Sequence, residues 1–340
     1  MNQIRFFDTT MRDGEQGIGC LMDNNQKIQL LKRLARLDIE TIELGMVTDS
    51  NSQALFEEAS ALVGNTTIAA LCRLKTQDIV TTTNALKPYS RSIINLLCIG
   101  SELHLKKKMH MSLSDALALL RQSIDEVRDT QFSGGIYAIL EDSTRGSDRL
   151  LRETVECLIE KGVDNVCLAD TVGILTPTAA KSLFEQFITE YPAINFSAHF
   201  HNDLGLAVAN TIAAIEAGAS QVQVTLGGVG ERCGNASFEE VVAILECSHC
   251  KQSVETSVHL KDVIEVCQHY YEIIGHTPNP NKPLIGCNAF STCAGIHQSA
   301  IEQCPETYEF IDPETIGLHR QFHVNRLSSK KLIHTDKTSH

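Results

Sequence analysis

Residues 30–44, LLKRLARLDIETIEL, carry an amphipathic helical run that closes near Asp38 and turns at once into a β-branched stretch. The same layout returns in residues 155–168, VECLIEKGVDNVCL, and in residues 212–224, IAAIEAGASQVQV. Apolar positions at helical spacing followed by a short β-branched run are the signature of an α/β unit. Strand-like runs recur at residues 4–7, 41–44, 67–71, 93–98, 136–140, 166–168, 196–199 and 222–226. Helical patterns of about 10 to 15 residues separate them, which predicts βαβ units on a parallel sheet. Eight such units within about 250 residues fit a (β/α)8 TIM barrel. A doubly wound sheet has the same alternation, because periodicity does not report closure.

The regular alternation stops after Cys250, and a helical pattern over Leu260–Ile274 leads into the proline-rich stretch 277–283, TPNPNKP. The expected organisation is a catalytic barrel over residues 1–275, a small, mainly helical C-terminal subdomain over 276–325 and a polar, basic tail over 326–340. The chain has 340 residues, 43% hydrophobic and 21% charged, which is ordinary globular usage. No run reaches the roughly 20 apolar residues of a membrane span. The N-terminus lacks the zones of a signal peptide, so a cytoplasmic location with no membrane partner is expected. Twelve cysteines sit scattered, several at apolar positions such as Cys98, Cys157 and Cys167, and read as buried thiols rather than a disulfide framework. A net charge of −13 argues against a nucleic-acid partner. An anionic co-substrate then has to be held by local cations or backbone amides.

Barrel enzymes carry their chemistry at the C-terminal ends of the strands. The first expected strand is followed by Arg12, Asp13 and Glu15, the fifth by Glu141 and Asp142, and the sixth by Asp170 and Thr171. The seventh gives His199, His201, Asn202 and Asp203, and the eighth the glycine-rich run 227–235, GGVGERCGN. His199 and His201 are two apart, which in a strand puts both imidazoles on one face. Alone, the pair reads as a polar strand end. With Asp13 across the same mouth it becomes a mixed nitrogen and oxygen site for Mg²⁺, Mn²⁺ or Zn²⁺ with open positions for substrate. Arg12 is a fixed cation able to hold a carboxylate or a developing enolate, or else part of a surface ion pair. Glu141 is a carboxylate placed to move protons, or a helix N-terminal charge. Gly228, Gly230 and Asn235 could bring backbone close to a phosphate or thioester, or simply turn the chain. Cys247 and Cys250 form a CxxC with no second pair at zinc spacing and read as a helix end. The run Lys106–Lys107–Lys108 reads as a solvated face, with contact to CoA phosphates as the alternative.

Taken together, Asp8-Thr9-Thr10-Met11-Arg12-Asp13-Gly14-Glu15-Gln16 and His199-Phe200-His201-Asn202-Asp203-Leu204-Gly205-Leu206-Ala207 resemble the two signatures of the DRE-TIM metallolyase superfamily. The loop Gly230-Glu231-Arg232-Cys233-Gly234-Asn235 resembles its condensing branch of 2-isopropylmalate, homocitrate and citramalate synthases rather than its lyases. The resemblance spans roughly residues 4–325. It implies Asp13, His199 and His201 as metal ligands, with Asn235 a weaker ligand or outer-shell group. It implies that Arg12 polarises the oxo acid or enolate, that Glu141 is a general acid or base and that Thr171 holds the substrate carboxylate. Gly295-Ile296-His297 resembles a family segment whose His reaches into the neighbouring subunit's site, and Thr307-Tyr308-Glu309 resembles the family's Tyr-Glu segment, which together imply a homodimer with His297 and Tyr308 catalytic.

The implied reaction is an acetyl-CoA-dependent Claisen condensation with a 2-oxo acid, giving a 2-alkylmalate and CoA. The alternatives are homocitrate synthesis, lyase or aldolase chemistry on the same scaffold, and a catalytically silent binding protein. Three departures bear on this. Thr292 stands where the family commonly has His. Tyr137 occupies the position of the Arg that grips 2-oxoglutarate in homocitrate synthases, which makes Tyr137 a candidate substrate contact and weakens that reading. The sequence ends soon after Leu332, so feedback inhibition through a following regulatory domain is not expected.

Overall fold

The computed structural model describes residues 2–247 and 254–324. Its centre is a closed barrel of eight parallel strands. These are β1 (Arg5–Asp8), β2 (Thr41–Glu43), β3 (Thr67–Arg73), β4 (Ser92–Ile99), β5 (Gly135–Glu141), β6 (Asn165–Asp170), β7 (Asn195–Phe200) and β8 (Gln221–Val224). Closure is made by β1 on β8, with Arg5 opposite Gln221 and Phe7 opposite Gln223. A helix follows each strand in turn: α1 (Asn24–Leu34), α2 (Ser50–Ser60), α3 (Thr76–Leu86), α4 (Leu113–Asp129), α5 (Asp148–Glu160), α6 (Pro177–Glu190), α7 (Ala207–Glu216) and α8 (Phe238–Cys247). The alternation is therefore a TIM barrel, and each of the eight expected strands is present.

Capping residues fix where the βα loops stop and the helices begin. The side chains of Asp23, Asp49 and Ser112 each accept from the third residue of their helix, and that residue's side chain reaches back to the cap. Such capping boxes satisfy amides that the first turn leaves unpaired. All six residues of β6 are buried, as a strand between a packed interior and covering helices requires. The interior is layered. Phe7, Ala69 and Ile93 pack with Tyr137 in the lower layer. Leu71, Ile139, Cys167 and Ala169 pack with Met46 and Leu97 nearer the mouth.

Helix α9 (Leu260–Ile274) stands where the sequence places it and ends at Gly275, which takes the left-handed conformation of a helix stop. After it come a loop, helix α10 (Gly295–Gln303) and short 3-10 turns. Two small parallel pairs were not foreseen: Asn2–Gln3 with Val254–Glu255, and Ser291–Thr292 with Gln321–Phe322. The tail 326–340 and Cys250 lie outside the described residues. Cys98, Cys157 and Cys167 are buried free thiols, whereas Cys233, Cys247, Cys287 and Cys304 are exposed, so burial does not extend to every cysteine. Among the described residues no helix is long and apolar enough to cross a membrane.

Candidate active site

Asp13 lies in the first turn after β1. The Thr9 carbonyl accepts from the amides of Arg12, Asp13 and Gly14 at 3.1, 2.8 and 3.1 Å, winding this segment into a tight knot. Thr10 Oγ1 donates to Asp8 Oδ2 at 2.8 Å and accepts from Leu226 N at 2.9 Å, which ties the knot to the end of β8. Burial lifts the Asp8 carboxyl to about 7 against the pull of its Thr10 bonds.

The strand spacing of His199 and His201 brings both rings over Asp13. The two Nε2 atoms face each other at 3.2 Å, and Asp13 Oδ2 lies 3.5 Å from His199 Nε2 and 3.8 Å from His201 Nε2. All three residues are buried. Burial and the neighbouring His201 push His199 down to about 3. Burial also lowers His201, with Asp13 opposing. Burial acts to raise Asp13, but Arg12 and the two imidazoles carry its carboxyl well below the usual range. The result is two neutral imidazoles and one carboxylate converging on a point, which is the protonation state metal ligands require.

The donor set fits a divalent ion. Two ligands each about 2.1 Å from one ion are separated by about 3 to 3.5 Å, close to the spacings seen here. Asn235 Nδ2 donates to Asp13 Oδ1 at 2.8 Å and to Val229 O at 3.0 Å. That leaves Asn235 Oδ1 buried without a partner, an oxygen free for an ion. Gly230 brings the loop up against this pair: its φ is +150°, and a Cβ there would lie 2.8 Å from Asp13 Oδ1 and closer still to Asn235 Nδ2. The position therefore has to be glycine for the loop to seat. Gly228 is in the same loop, and Asn235 N donates to its carbonyl at 2.9 Å.

Arg12 is held from both sides. Its Nη1 donates to Asp13 Oδ2 at 2.7 Å and its Nε to Glu43 Oε2 at 2.6 Å. Glu43, fully buried at the end of β2, also accepts from Asn95 Nδ2 at 3.0 Å. Arg12 Nη2 is buried without a partner. Sequence reading missed Glu43, whose only signal was a carboxylate in an otherwise buried strand.

At the end of β5, Lys108 Nζ donates to both carboxylate oxygens of Glu141, at 2.8 and 2.6 Å, and His104 Nδ1 lies 3.5 Å from Glu141 Oε2. The lysine run is thus only partly a free solvated face. It forms one π-helical turn, Leu105–Met109, over an apolar cavity of about 320 Å³ lined in part by Leu97, Leu105, Met109, Met111 and Glu141. Thr171 Oγ1 accepts from Asp142 N at 2.8 Å, which leaves its own hydroxyl proton to donate. Arg232 spans Asp203 at 2.8 and 2.9 Å and donates to Thr171 O at 2.6 Å, a clamp the sequence did not signal.

Two candidate groups do not join this mouth. Tyr137 is on the inward face of β5, but four residues below Glu141. It packs with Phe7, Ala69 and Ile93 in the lower layer, so the expected substrate contact is not formed from there. His297 and Tyr308 stack on each other, centroids 4.0 Å apart, in a subdomain groove with Phe290, Thr292 and Arg320.

The HMGL-like family model matches residues 3–269, which is most of the chain and the whole of the barrel. The chain belongs to the HMGL-like family. A second model, described as homocitrate synthase post-HMGL domain-like, matches residues 284–337. Among curated relatives, a 2-isopropylmalate synthase of Caulobacter sp. (strain K31) is 36% identical over 93% of this chain and 61% of its own length. A probable 2-isopropylmalate synthase of Ignicoccus hospitalis is 38% identical over 96% of this chain and 80% of its own. The chain spans about 61 to 64% of the length of the Caulobacter relative and of a similar 2-isopropylmalate synthase from Pyrococcus furiosus. Among solved structures, the HMG-CoA lyase of Brucella melitensis superposes with a TM-score of 0.68 at 18% identity, covering 81% of this chain and 100% of that one. At that identity the likeness carries the barrel fold and nothing more.

Proposed function

We propose that this HMGL-like protein condenses acetyl-CoA with an apolar 2-oxo acid and hydrolyses the product thioester, releasing a 2-alkylmalate and CoA. The observation that carries the reading is the convergence of Asp13, His199 and His201 beside an Arg12 anchored by Glu43. When bound by those three ligands, with Asn235 Oδ1 in reach, a divalent ion supplies Lewis acidity for a 2-oxo acid's carbonyl and carboxylate. The chain's own groups do the rest. Arg12 offers its unpartnered Nη2 to a developing oxyanion, and the Thr171 hydroxyl donates to the substrate carboxylate. Glu141 borders the apolar cavity, where an acyl-CoA arm finds a non-polar wall and Lys108 a polar edge, and it is the group placed to move the acetyl proton.

The inner wall of the mouth favours an apolar side chain on the oxo acid. Leu71, Ile139 and Cys167 pack with Leu97 and Met46 in the interior layer toward the mouth, and none of these side chains carries a charge to pair with a second carboxylate. A dicarboxylic oxo acid would lose hydration there without compensation, at a cost of about 3 kcal/mol or more. In a thiol-release assay with acetyl-CoA and added divalent metal, 2-oxoisovalerate or pyruvate should therefore exceed 2-oxoglutarate by about 100-fold in kcat/KM. Preference for 2-oxoglutarate would move the reading to homocitrate synthesis. Cleavage of a hydroxyacyl-CoA with no thiol release would move it to a lyase, and metal uptake without turnover on any oxo acid would leave a binding protein.

The site is also proposed to be completed by a second copy. Exposed apolar residues Ile18, Leu21, Leu103, Ile174 and Leu204 stand on the loops around the barrel mouth, and Ile296, Tyr308 and Phe310 are exposed on the subdomain. Apolar surface so grouped marks an interaction face, and a homodimer that lays one subdomain on the other's mouth would bring His297 and Tyr308 to the chemistry. Light scattering should give twice the chain mass at micromolar concentration; a monomer that turns over at full rate would exclude this role for His297.

A further inference from the structure

We propose that Lys282, in the strap that joins the barrel to the C-terminal subdomain, is a positioning residue that holds the glycine-rich loop, and through it Asn235, against Asp13. The inference rests on the metal reading of that site. It is carried by a set of contacts behind the loop that the proposed reaction does not use.

The loop from Gly227 to Ser237 is anchored at both ends by neighbouring charges. Gly227 N donates to Glu239 Oε2 at 3.0 Å. At the other end, Ser237 Oγ accepts from Lys282 Nζ, which also donates to Glu240 Oε1 and lies 3.7 Å from Glu239 Oε1. Between these anchors the tip returns to the site, with Asn235 N on Gly228 O at 2.9 Å and Asn235 Nδ2 on Asp13 Oδ1 at 2.8 Å. Only one residue separates Ser237 from Asn235, so a displacement of one is carried to the other. Glu239 is fully buried, with Cys267 Sγ at 3.8 Å as its other neighbour.

The strap is itself braced. The Lys282 amide donates to Asn279 O at 2.8 Å, and its carbonyl accepts from Gly286 N at 3.0 Å. Its first residues reach the other metal-bearing loop as well: a Cβ at Gly19, between Asp13 and α1, would lie 2.6 Å from His276 Nε2. The segment 276–282 therefore touches the loops that carry Asp13 and Asn235. Outer contacts of this kind commonly tune metal affinity by about 10- to 100-fold.

Lys282→Met alone leaves Glu239 as an unpaired buried charge and can unfold the protein for that reason. The deciding comparison is therefore Lys282→Met with Glu239→Gln against Glu239→Gln alone, which carries the same change at the Gly227 anchor and should itself stay near wild type. Mn²⁺ would be titrated calorimetrically into metal-stripped wild type and both variants, and amide hydrogen exchange followed across residues 227–237 and α1. With melting temperature near wild type, the double variant's Mn²⁺ affinity should fall about 10-fold or more below that of Glu239→Gln, and exchange should rise in 227–237 but not in α1. Lys282→Arg, which keeps the cation and its donors, should stay within about 3-fold of wild type. A folded double variant with the Mn²⁺ affinity and exchange of Glu239→Gln alone overturns the assignment. If wild type itself takes up no Mn²⁺, the metal reading fails, and the exchange result alone decides whether Lys282 holds the loop.

Discussion

Asp13→Asn should leave a folded protein that carries almost no divalent metal and turns over at least about 1,000-fold more slowly. The side chains are nearly identical in shape, so packing around the knot is preserved. An amide oxygen at the Oδ2 position still accepts from Arg12 Nη1, and the one hydrogen bond given up is that from Asn235 Nδ2 to the Oδ1 position. What changes is charge. Two neutral imidazoles remain, and an amide oxygen replaces the carboxylate that drew the cation to them. Arg12 keeps its bond to Glu43, so no buried charge is orphaned and melting should shift by only a few degrees. His201→Ala acts on the same point from the other side and should lower metal content and turnover together. Metal analysis of the dialysed protein, beside thiol-release rates, reads both effects. Stoichiometric metal with full turnover in either variant would sink the site assignment.

How much of this was legible depended on whether the signal was local. Most barrel strands are announced by their own β-branched or apolar run, and the two-residue spacing of His199 and His201 fixes their common face without any knowledge of the neighbours. Asp13 could be set opposite them because strand order places the ends of β1 and β7 at one mouth. Glu43 gave no comparable signal: within the sequence Thr41-Ile42-Glu43 it is one acid in a short strand, and its meaning lies in Arg12, 31 positions away. Lys282 was hidden likewise, inside a proline-rich stretch that reads as a boundary. Tyr137 shows the limit of reading a strand's face alone. Spacing of four puts it on Glu141's face of β5 but also about 13 Å lower along the strand, and the ring accordingly packs a layer down. The two short strand pairs escaped because two residues make no pattern.

The largest combined effect is expected at Arg12, since that guanidinium is at once the cation between two buried carboxylates and the donor nearest the proposed chemistry. Arg12→Met removes the bonds to Glu43 and Asp13 together. Glu43 is then a fully buried carboxylate with Asn95 as its remaining hydrogen-bond partner. Breaking one side of a buried pair costs about 3 to 5 kcal/mol, because the surviving charge has neither water nor a counter-ion. Turnover should fall by about 1,000-fold as well, through loss of the oxyanion donor. The two losses are separable. Adding Glu43→Gln to Arg12→Met removes the orphaned charge and should restore most of the melting temperature, while activity stays at the level of the single variant. Recovery of both would mean that Arg12 serves only to neutralise Glu43. Recovery of neither would mean that the side chain is needed for its volume between β1 and β2 rather than for its charge. Thermal melts and thiol-release rates on wild type, the two single variants and the double variant form a closed cycle, in which the coupling in stability belongs to the ion pair and the uncoupled loss in rate to the donor.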